Sequence, residues 1–301
     1  MIHNQHIHLE QFPSGRASEK ITKGCLVLQG GGWKGFYTLG VINCLMQNDI
    51  NLSAVVGCSA GAMAAIGYMS GQIGWGARVN LMHRHDPNYC GIGPLIRDGG
   101  VTGFSYYFKN MLKEMPVDKK RLNDPSRRMI VSATNILTGK IKYFEKGNCI
   151  LSKAIRASAS LPYVSRPVMI NGVPYLDGGC AEKIPFGWAE RSGEEKKIVV
   201  LTNELSFRRK PGVSKMAGMI YRNYPHLLES MEAANTQFNM TVDSLEENAA
   251  NGEVFIIAPS KPVTVPLLEG DLNKLAELYF LGCSDAETKL GDLQRYLNDK
   301  P

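Results

Sequence analysis

The chain has 301 residues, enough to bury a large core as one α/β domain or as one domain with a small appendage. Its 44% hydrophobic and 21% charged residues are ordinary for a folded soluble protein, and a net charge of +6 is modest for this length. The basic residues cluster loosely, without the stacking aromatics or finger spacing of nucleic-acid-binding proteins. Nucleic-acid binding is therefore disfavoured, whereas a weak attraction to anionic lipid surfaces is compatible with the charge.

Seven cysteines lie scattered through the chain, with no C-x-x-C pair and an odd total. This usage predicts neither a disulfide framework nor a zinc site, and it fits a reducing cytoplasm. Residues 1–23 lack the apolar stretch of a secretory signal and are predicted to form a flexible polar leader. Three histidines in that leader could hold a metal ion, but a solvated polar segment is the favoured interpretation.

The N-terminal part of the chain alternates between strand and helix patterns. Residues 25–29, CLVLQ, have the pattern of a buried strand, and a helical pattern begins near Lys34, after three glycines. A second apolar strand over residues 53–56 leads into a glycine turn and a small-residue helix. Residues 50–77 carry no charge, but their glycines and polar residues divide them into strand, turn and helix. A membrane-spanning helix is therefore rejected.

Residues 71–117 are rich in glycine and aromatic residues and are predicted to be irregular. A long connection of this kind inside a compact domain is either a cap or binding loop or a packed surface excursion, and the sequence leaves both open. Its aromatic segment, residues 104–108, is the candidate for contact with an acyl chain.

The rest of the chain continues with strands and helices. The predicted strands are residues 128–134, 140–144, 167–170 and 173–176 (a hairpin around Asn171-Gly172), 197–202 and 254–258; the predicted helices are residues 152–160, 224–250, 271–281 and 286–297. Short strands joined by helices imply a parallel sheet with helices on both faces. We therefore predict an α/β fold, with residues 24–202 as its core and residues 203–301 as a C-terminal region packed on that core.

The stretch SAVVGCSAG places Ser59 in the pattern G-x-S-x-G, between Gly57 and Gly61. A serine on a sharp turn between strand and helix projects from the backbone, and the flanking glycines let neighbouring chain pass close by. That geometry presents a hydroxyl as a nucleophile at the head of a parallel sheet. The pentapeptide is common, so the residues around it must decide its meaning.

A second glycine turn, at a strand-to-helix junction, contains Gly30, Gly31, Gly32 and Lys34. The match to G-x-G-x-x-G suggests a dinucleotide-binding site. Such a site requires an acidic residue at the end of the next strand to bind the ribose, but that strand ends at the Ser59 turn. The alternative is an oxyanion hole, in which loop N–H groups face a developing negative charge and Lys34 adds positive potential. The oxyanion hole is the favoured interpretation.

A base for Ser59 is offered by Asp177, which precedes Gly178 and Gly179 at the end of the predicted hairpin. Two arrangements are open. One is a triad of Ser59, Asp177 and His226, and the other is a dyad in which Asp177 itself accepts the serine proton. His226 opens the long predicted helix, a common setting for a partly exposed histidine. No serine has a lysine three residues on, so a pair of the S-x-x-K type is absent.

Three motifs occur in order: G-G-G-x-K-G at residues 30–35, G-x-S-x-G at residues 57–61 and D-G-G at residues 177–179. With the block at residues 154–162, they resemble the patatin-like phospholipase family, serine acyl hydrolases that use a Ser–Asp dyad. The resemblance covers roughly residues 24–200, and residues 255–259 with the helices after them resemble the bacterial branch that has an extra C-terminal region. It implies a three-layer α/β/α hydrolase fold, Ser59 as nucleophile, Asp177 as base and residues 30–32 as the oxyanion hole.

The residues and the resemblance together predict a lipid acyl hydrolase that works through an acyl-enzyme and needs neither cofactor nor metal. The expected partner is a lipid or another acyl ester, and peripheral contact with a membrane is compatible with the charge. Two other classes stay open. One is a non-catalytic lipid-binding or regulatory protein, and the less favoured one is a dinucleotide-binding enzyme that uses residues 30–35.

Overall fold

A computed structural model describes residues 8–299 of the chain. Within that range the chain forms ten strands, eight of which belong to one sheet. The strands are β1 Gly15–Arg16, β2 Thr22–Leu28, β3 Leu52–Cys58, β4 Gln72–Ile73, β5 Arg128–Asn135, β6 Ile141–Glu145, β7 Val168–Ile170, β8 Val173–Asp177, β9 Lys197–Val200 and β10 Phe255–Ile257.

Helices of very different lengths surround the sheet. They are α1 Gly35–Gln47, α2 Ala60–Met69, α3 Trp75–His83, α4 Ile92–Arg97, α5 Phe104–Tyr106, α6 Leu112–Glu114, α7 Lys119–Leu122, α8 Leu151–Ser158, α9 Phe186–Arg191, α10 Lys215–Ile220, α11 Pro225–Ala250, α12 Leu272–Thr288 and α13 Leu290–Asn298. Short 3₁₀ turns form at Leu9–Gln11, Gly32–Lys34 and Gly178–Cys180, and a π-helical segment, Tyr107–Met111, joins α5 to α6.

The central sheet is mainly parallel, as predicted. Strands β10, β9, β2, β3 and β5 lie side by side in that order and all run parallel. Strands β6 and β8 run antiparallel to β5, and β7 completes the predicted hairpin with β8. The parallel strands read as continuous apolar runs because both of their faces are covered.

Two cores, one on each face of the sheet, give the fold its three layers. Successive side chains of a strand point to opposite faces. In β2, Leu26 and Leu28 accordingly pack with the helices α1, α2 and α12, whereas Cys25 and Val27 pack with α9 and α11. The predicted three-layer α/β/α architecture is therefore confirmed.

Helix α12, from the C-terminal region, lies directly against α1. A Cβ atom added at Gly40 would overlap the carbonyl oxygen of Tyr279, and one added at Gly282 would overlap that of Tyr37. Asn43 Nδ2 also donates to the Tyr279 hydroxyl at 2.6 Å. Almost every residue of α1 is buried because the helix is covered by the sheet on one side and by α12 on the other. Strand β10 also extends the sheet beyond β9, so the C-terminal region contributes to both the sheet and the helical layer.

Residues 8–23 differ from the flexible leader that was predicted. Phe12 is 2% exposed and its ring packs on Tyr279 and Phe280, with centroid distances of 4.9 and 5.2 Å. Strand β1 pairs with β4, and the Ala17 carbonyl accepts a hydrogen bond of 2.5 Å from Arg121 Nη1. This segment is therefore fixed to the body of the protein, because its few apolar side chains find partners on distant helices. Residues 1–7, with two of the three leader histidines, lie outside the described residues.

Residues 71–117 also differ from the prediction of an irregular connection. They form α3, α4, α5, the π-helical segment and α6, tied together by a bridge between Cys90 and Thr102. Glycines with positive φ, Gly74 at +72° and Gly91 at +116°, precede α3 and α4. Helices this short, separated by closely spaced glycines, show no clear hydrophobic periodicity in the sequence. Among residues 8–299, no helix combines the length and apolar character needed to cross a membrane.

Candidate active site

The ends of two strands meet on one edge of β5. Cys58, the last residue of β3, lies opposite Ser132, and Asp177, the last residue of β8, lies opposite the next residue, Ala133. Strand β6 occupies the other edge of β5, opposite both Ser132 and Ala133. Strands β3 and β8 therefore approach each other end to end along a shared edge. This register brings Ser59 and Asp177 together although 118 positions separate them.

Ser59 occupies a strained turn between β3 and α2. Its φ of +53° and ψ of −121° lie in a region that L-residues rarely adopt. A Cβ atom at Gly57 would lie 2.6 Å from the Ala62 nitrogen, and one at Gly61 would overlap the Leu28 carbonyl oxygen, so both flanking positions require glycine. The turn therefore holds the serine side chain out from the backbone while neighbouring chain passes close by.

A hydrogen bond joins the predicted nucleophile to the predicted base. Ser59 Oγ donates to Asp177 Oδ2 at 2.6 Å. The other carboxylate oxygen, Oδ1, accepts the Gly179 N–H at 2.8 Å and lies 3.9 Å from Cys58 Sγ. Burial raises the pKa of Asp177 to about 6, and the hydrogen bonds from Ser59 and Gly179 oppose that rise. A carboxylate with this pKa is ionised at neutral pH and is more basic than an exposed aspartate.

The backbone on either side of this pair is also held in place. The Ser59 N–H donates to Ser158 Oγ, on α8, at 2.8 Å. The Asp177 N–H donates to the Ser160 carbonyl at 2.9 Å, and its carbonyl accepts from Thr134 Oγ1 at 2.9 Å. The backbones of Ser59 and Asp177 are thus fixed by buried hydrogen bonds.

Gly178 and Gly179 permit close packing of the turn at residues 177–179, which we call the base turn. A Cβ atom at Gly178 would lie 2.7 Å from Ser132 Oγ, and one at Gly179 would lie 3.1 Å from Asp177 Oδ1. Lys183 Nζ donates to the Gly179 carbonyl at 2.7 Å, and burial lowers the pKa of this lysine. A cation therefore lies behind the base turn and opposes the rise in the pKa of Asp177.

The glycine loop at residues 30–34 uses some of its N–H groups for its own structure. The Gly30 N–H donates to the Lys183 carbonyl at 3.2 Å, and the Trp33 N–H donates to the Leu267 carbonyl at 3.3 Å. Gly30 therefore has no free donor for an oxyanion, which corrects its predicted role. Within the described part of the chain, the N–H groups of Gly31 and Gly32 have no hydrogen-bond partner.

Lys34 does not line the cavity beside Ser59, where its positive charge was predicted to support an oxyanion hole. Its Nζ donates to Asn203 Oδ1 at 2.6 Å and lies 5.6 Å from the ring centroid of Phe207, and burial lowers its pKa. Among the described residues, the wall of the cavity beside Ser59 includes Gly32, Trp33 and Gly35 but not Lys34. Lys34 thus ties the glycine loop to the chain after β9 instead of contacting the cavity.

An apolar cavity opens beside Ser59. Its apolar wall comes from the glycine loop, α1, α2, the segment after α8 and the loop between β10 and α12: Trp33, Phe36, Leu39, Met63, Leu161, Leu267 and Leu268. Asn80 and Thr102 supply polar groups. We refer to this space as the acyl cavity.

The aromatic segment at residues 104–108 does not line the acyl cavity, which corrects the predicted contact. Phe104 and Tyr107 are buried, and the Tyr107 ring stacks behind Tyr89, which does line it, with a centroid distance of 6.2 Å. Leu267 and Leu268 were not predicted to line the cavity because they come from a loop far along the chain. Ser158 belongs to the block at residues 154–162, but no sequence pattern predicts its hydrogen bond to the Ser59 backbone.

His226 lies away from the Ser59–Asp177 pair. Its side chain is 61% exposed on α11, and Nδ1 lies 3.3 Å from a carboxylate oxygen of Glu229. Among residues 8–299, no histidine forms a hydrogen bond with Ser59 or Asp177. The geometry therefore favours the dyad over the triad. The same residues contain no group of three or more side chains placed to hold a metal ion.

Two family models match the chain. The model described as "Patatin-like phospholipase" matches residues 26–189, and the model described as "Domain of unknown function (DUF6363)" matches residues 224–298. The first match contains every motif of the site, and the second covers α11, β10, α12 and α13. The second match also includes the loop that carries Leu267 and Leu268.

Similar proteins occur in bacteria and fungi. The protein YjjU of Escherichia coli is 24% identical, and the aligned region covers 98% of this chain and 82% of YjjU. The lysophospholipase NTE1 of Candida albicans is 22% identical over 89% of this chain, which spans only 20% of that longer protein. Among solved structures, VipD of Legionella pneumophila matches with a TM-score of 0.47 and 16% identity, covering 97% of this chain and 72% of VipD. Because the patatin-like model matches more than half of the residues, the chain belongs to the patatin-like phospholipase family.

Proposed function

We propose that the protein hydrolyses acyl esters of lipids, with Ser59 as nucleophile and Asp177 as general base. The observation that carries the proposal is the 2.6 Å hydrogen bond from Ser59 Oγ to Asp177 Oδ2 beside the acyl cavity. A hydroxyl is a weak nucleophile until a positioned base accepts its proton. Here the base is buried, ionised at neutral pH and already in contact with that proton.

The proposed reaction has two stages. Asp177 accepts the Ser59 proton as Oγ attacks the ester carbonyl, and it then returns the proton to the departing alcohol. Water then attacks the acyl-enzyme and its proton passes to Asp177. Asp177 returns that proton to Ser59 Oγ as the bond from Oγ to the acyl group breaks, which releases the fatty acid and restores the serine hydroxyl. The fixed backbone of both residues reduces the reorganisation needed at each stage.

The charge that develops on the carbonyl oxygen needs nearby donors. The N–H groups of Gly31 and Gly32 are without partners among the described residues, and Gly32 lines the acyl cavity beside Ser59. Ala60 also lines the cavity and begins α2, where first-turn N–H groups have no partner inside the helix. We assign the oxyanion hole to Gly32 and Ala60, with Gly31 as a further donor.

We also propose a peripheral contact with lipid surfaces in the cytoplasm. Ile92 and Ile96 on α4 are 76% and 77% exposed, and Leu267 and Leu268 at the acyl cavity are about half exposed. Helix α4 lies in the excursion between Tyr89 and Thr102, both of which line the cavity. Exposed apolar groups beside a lipid-binding cavity suit the boundary of a bilayer. The cytoplasmic placement is supported by seven free thiols.

A dinucleotide-binding function has less support. A Cβ atom at Gly30 would lie 3.1 Å from the Ser59 Cβ atom, so the glycine loop packs against the serine turn. The chain there lines an apolar cavity, whereas a dinucleotide site requires room for a pyrophosphate at the helix N-terminus.

Hydrolysis of acyl esters by purified variants tests the proposal. Ser59→Ala and Asp177→Asn should each lower kcat by about a thousandfold or more, because each removes a group that acts in the transition state. Ser126→Ala, on an exposed turn, serves as the control and should retain full activity. Substantial activity in either site variant would overturn the mechanism. A wild-type protein that binds lipid without turnover would support the non-catalytic alternative.

A further inference from the structure

A second, smaller recess lies next to the acyl cavity. Two chain segments form it by pairing: the Val101 N–H donates to the Val164 carbonyl at 3.1 Å, and the Arg166 N–H donates to the Gly99 carbonyl at 2.5 Å. An antiparallel bridge between Gly100 and Ser165 joins the same segments. Helix α8 supplies the remaining wall. The recess is therefore built from paired backbone, and we call it the arginine recess after two of its lining residues, Arg156 and Arg166.

The two arginines that line the arginine recess have no carboxylate partner among residues 8–299. Arg156 is half-buried and donates from Nη2 to the Asp98 carbonyl at 2.7 Å. The aliphatic stem of Arg166 lies over Gly99, since a Cβ atom there would lie 2.7 Å from the Arg166 Cδ atom. The Arg156 guanidinium is thus held by a backbone carbonyl, whereas Arg166 is exposed and only its stem is packed. Both guanidinium groups keep unused N–H donors.

One carboxylate also lines the arginine recess, and it is already engaged. Asp98 Oδ2 accepts the Ser105 N–H at 2.8 Å, within its own turn. With two guanidinium groups and one carboxylate, the recess keeps an excess positive charge. The hydroxyl of Ser165 adds a donor at its wall. This combination suits an anion with several oxygens.

The arginine recess adjoins the acyl cavity. Thr102 lines both spaces, and at the end of α8 Ala159 lines the cavity while Ser160 lines the recess. The recess therefore lies beside the space that an ester positioned at Ser59 would occupy. The guanidinium fork matches the tetrahedral oxygens of a phosphate group through paired, charge-assisted hydrogen bonds.

We propose that Arg156 and Arg166 form a phosphate-binding subsite beside the candidate active site. The ligand is a phosphate group, either that of a glycerophospholipid substrate or a free phosphate ion that occupies the same place. In the first case the subsite selects phosphate-bearing acyl esters over neutral ones. This inference rests on the proposed function, because the selection acts on an ester held at Ser59.

The test compares two substrates with the same acyl chain, dihexanoyl phosphatidylcholine below its micellar concentration and p-nitrophenyl hexanoate. The quantity measured is the ratio of their kcat/KM values. Arg166→Gln and Arg156→Gln should each lower that ratio about tenfold, mainly through a higher KM for the phospholipid. Arg166→Lys should restore part of the loss because it keeps the charge without the fork. Arg97→Gln, on α4 and outside the recess, is the control and should leave the ratio unchanged.

Inorganic phosphate distinguishes the two sources of the ligand. Calorimetric titration of Ser59→Ala with phosphate, with and without Arg166→Gln, measures binding independently of activity. Binding that depends on Arg166, together with the lowered ratio, identifies the lipid phosphate as the ligand. Binding that depends on Arg166 with an unchanged ratio identifies free phosphate.

An unchanged ratio with no phosphate binding overturns the subsite. If that result comes from variants that still hydrolyse the nitrophenyl ester, the proposed function survives it. Wild-type protein that hydrolyses neither ester contradicts the proposed function instead, and the calorimetric result then decides the subsite alone.

Discussion

At the scale of single residues, the proposed mechanism requires the Asp177 carboxylate to act as the base for Ser59. An exposed aspartate is a weak base at neutral pH, whereas burial raises the pKa of Asp177 to about 6. Its two oxygens have separate partners, since Oδ1 holds the Gly179 N–H and Oδ2 holds the Ser59 hydroxyl. The first bond orients the carboxylate, and the second identifies the proton that Asp177 accepts in the proposed mechanism.

The pH dependence of kcat/KM follows from that pKa. Asp177 accepts a proton only when it is ionised, so kcat/KM should fall about tenfold per pH unit below pH 6 and level off above about pH 7. A histidine base would give a similar profile, so His226→Ala is measured in parallel. It should retain both the activity and the inflection. A collapse of activity in His226→Ala to the level of Ser59→Ala would restore the triad.

The same burial means that ionised Asp177 destabilises the folded state. Its folded pKa of about 6 exceeds the ordinary 3.8, so the folded state binds the proton more tightly, and stability falls as pH rises from 4 through 6. The full difference corresponds to about 3 kcal/mol at pH 8. Asp177→Asn should therefore raise the free energy of unfolding in urea at pH 8 by about 1–3 kcal/mol, and by less at pH 5. An Asn variant less stable than the wild type at pH 8 would contradict this explanation.

At the scale of elements, local pattern predicted the eight strands of the central sheet and the positions of the site turns, but not the short strands β1 and β4. Buried parallel strands such as β2, β3 and β9 are short apolar runs that end in glycine or polar residues, and the hairpin of β7 and β8 carries an Asn-Gly turn. The ends of β3 and β8 were predicted individually as functional turns. They meet on one edge of β5 because of the register in which β3 and β8 pair with it. No local sequence pattern predicts that register.

Other elements escaped prediction for physical reasons. The short helices between α2 and β5 are interrupted by glycines and stabilised by contacts with distant residues, so no amphipathic period marks them. Leu267 and Leu268 join the acyl cavity through the hydrogen bond from the Trp33 N–H to the Leu267 carbonyl. The sequence indicates the proposed nucleophile and the proposed base because their turns have local signatures. It does not indicate the walls of the cavity, which are assembled from distant segments.

The contact between α1 and α12 gives a prediction of its own. Gly282→Ala should lower the free energy of unfolding by about 1–3 kcal/mol, because the added methyl group overlaps the Tyr37 carbonyl oxygen. Gly291→Ala, on α13, is the matched control, since nothing lies within 4 Å of its Cβ position. The control should be neutral or slightly stabilising. Equal stability of the two variants in urea would contradict the close packing of α1 on α12.

At the scale of the whole molecule, the acyl cavity is shared between the two regions matched by family models. The patatin-like region supplies Ser59 and most of the wall, and the C-terminal region supplies Leu267 and Leu268. Arg84 Nε and His85 Nε2 also bond to the carbonyls of Glu269 and Gly270, at 2.5 and 2.7 Å. The C-terminal loop is thereby fixed against the catalytic region.

Peripheral contact with lipid can be tested on the same scale. The double variant Ile92→Ser/Ile96→Ser should lower hydrolysis of anionic phospholipid vesicles several-fold, because it removes two exposed apolar groups beside the cavity. Hydrolysis of a soluble hexanoyl ester should change little. Met240→Ser on α11, which replaces a 63% exposed residue, is the control and should leave both rates unchanged. If vesicle hydrolysis by the double variant equals that of the wild type, α4 does not contact the lipid surface.

The most direct test of the central claim is covalent labelling with a fluorophosphonate probe followed by mass-spectrometric mapping of the modified residue. An activated serine in a hydrolase site reacts with such a probe through its oxygen. We expect a single modification at Ser59, abolished in Ser59→Ala, strongly slowed in Asp177→Asn and unaffected in His226→Ala. No labelling of the wild-type protein, or modification at a serine other than Ser59, would contradict the assignment of Ser59 and Asp177 as a catalytic pair.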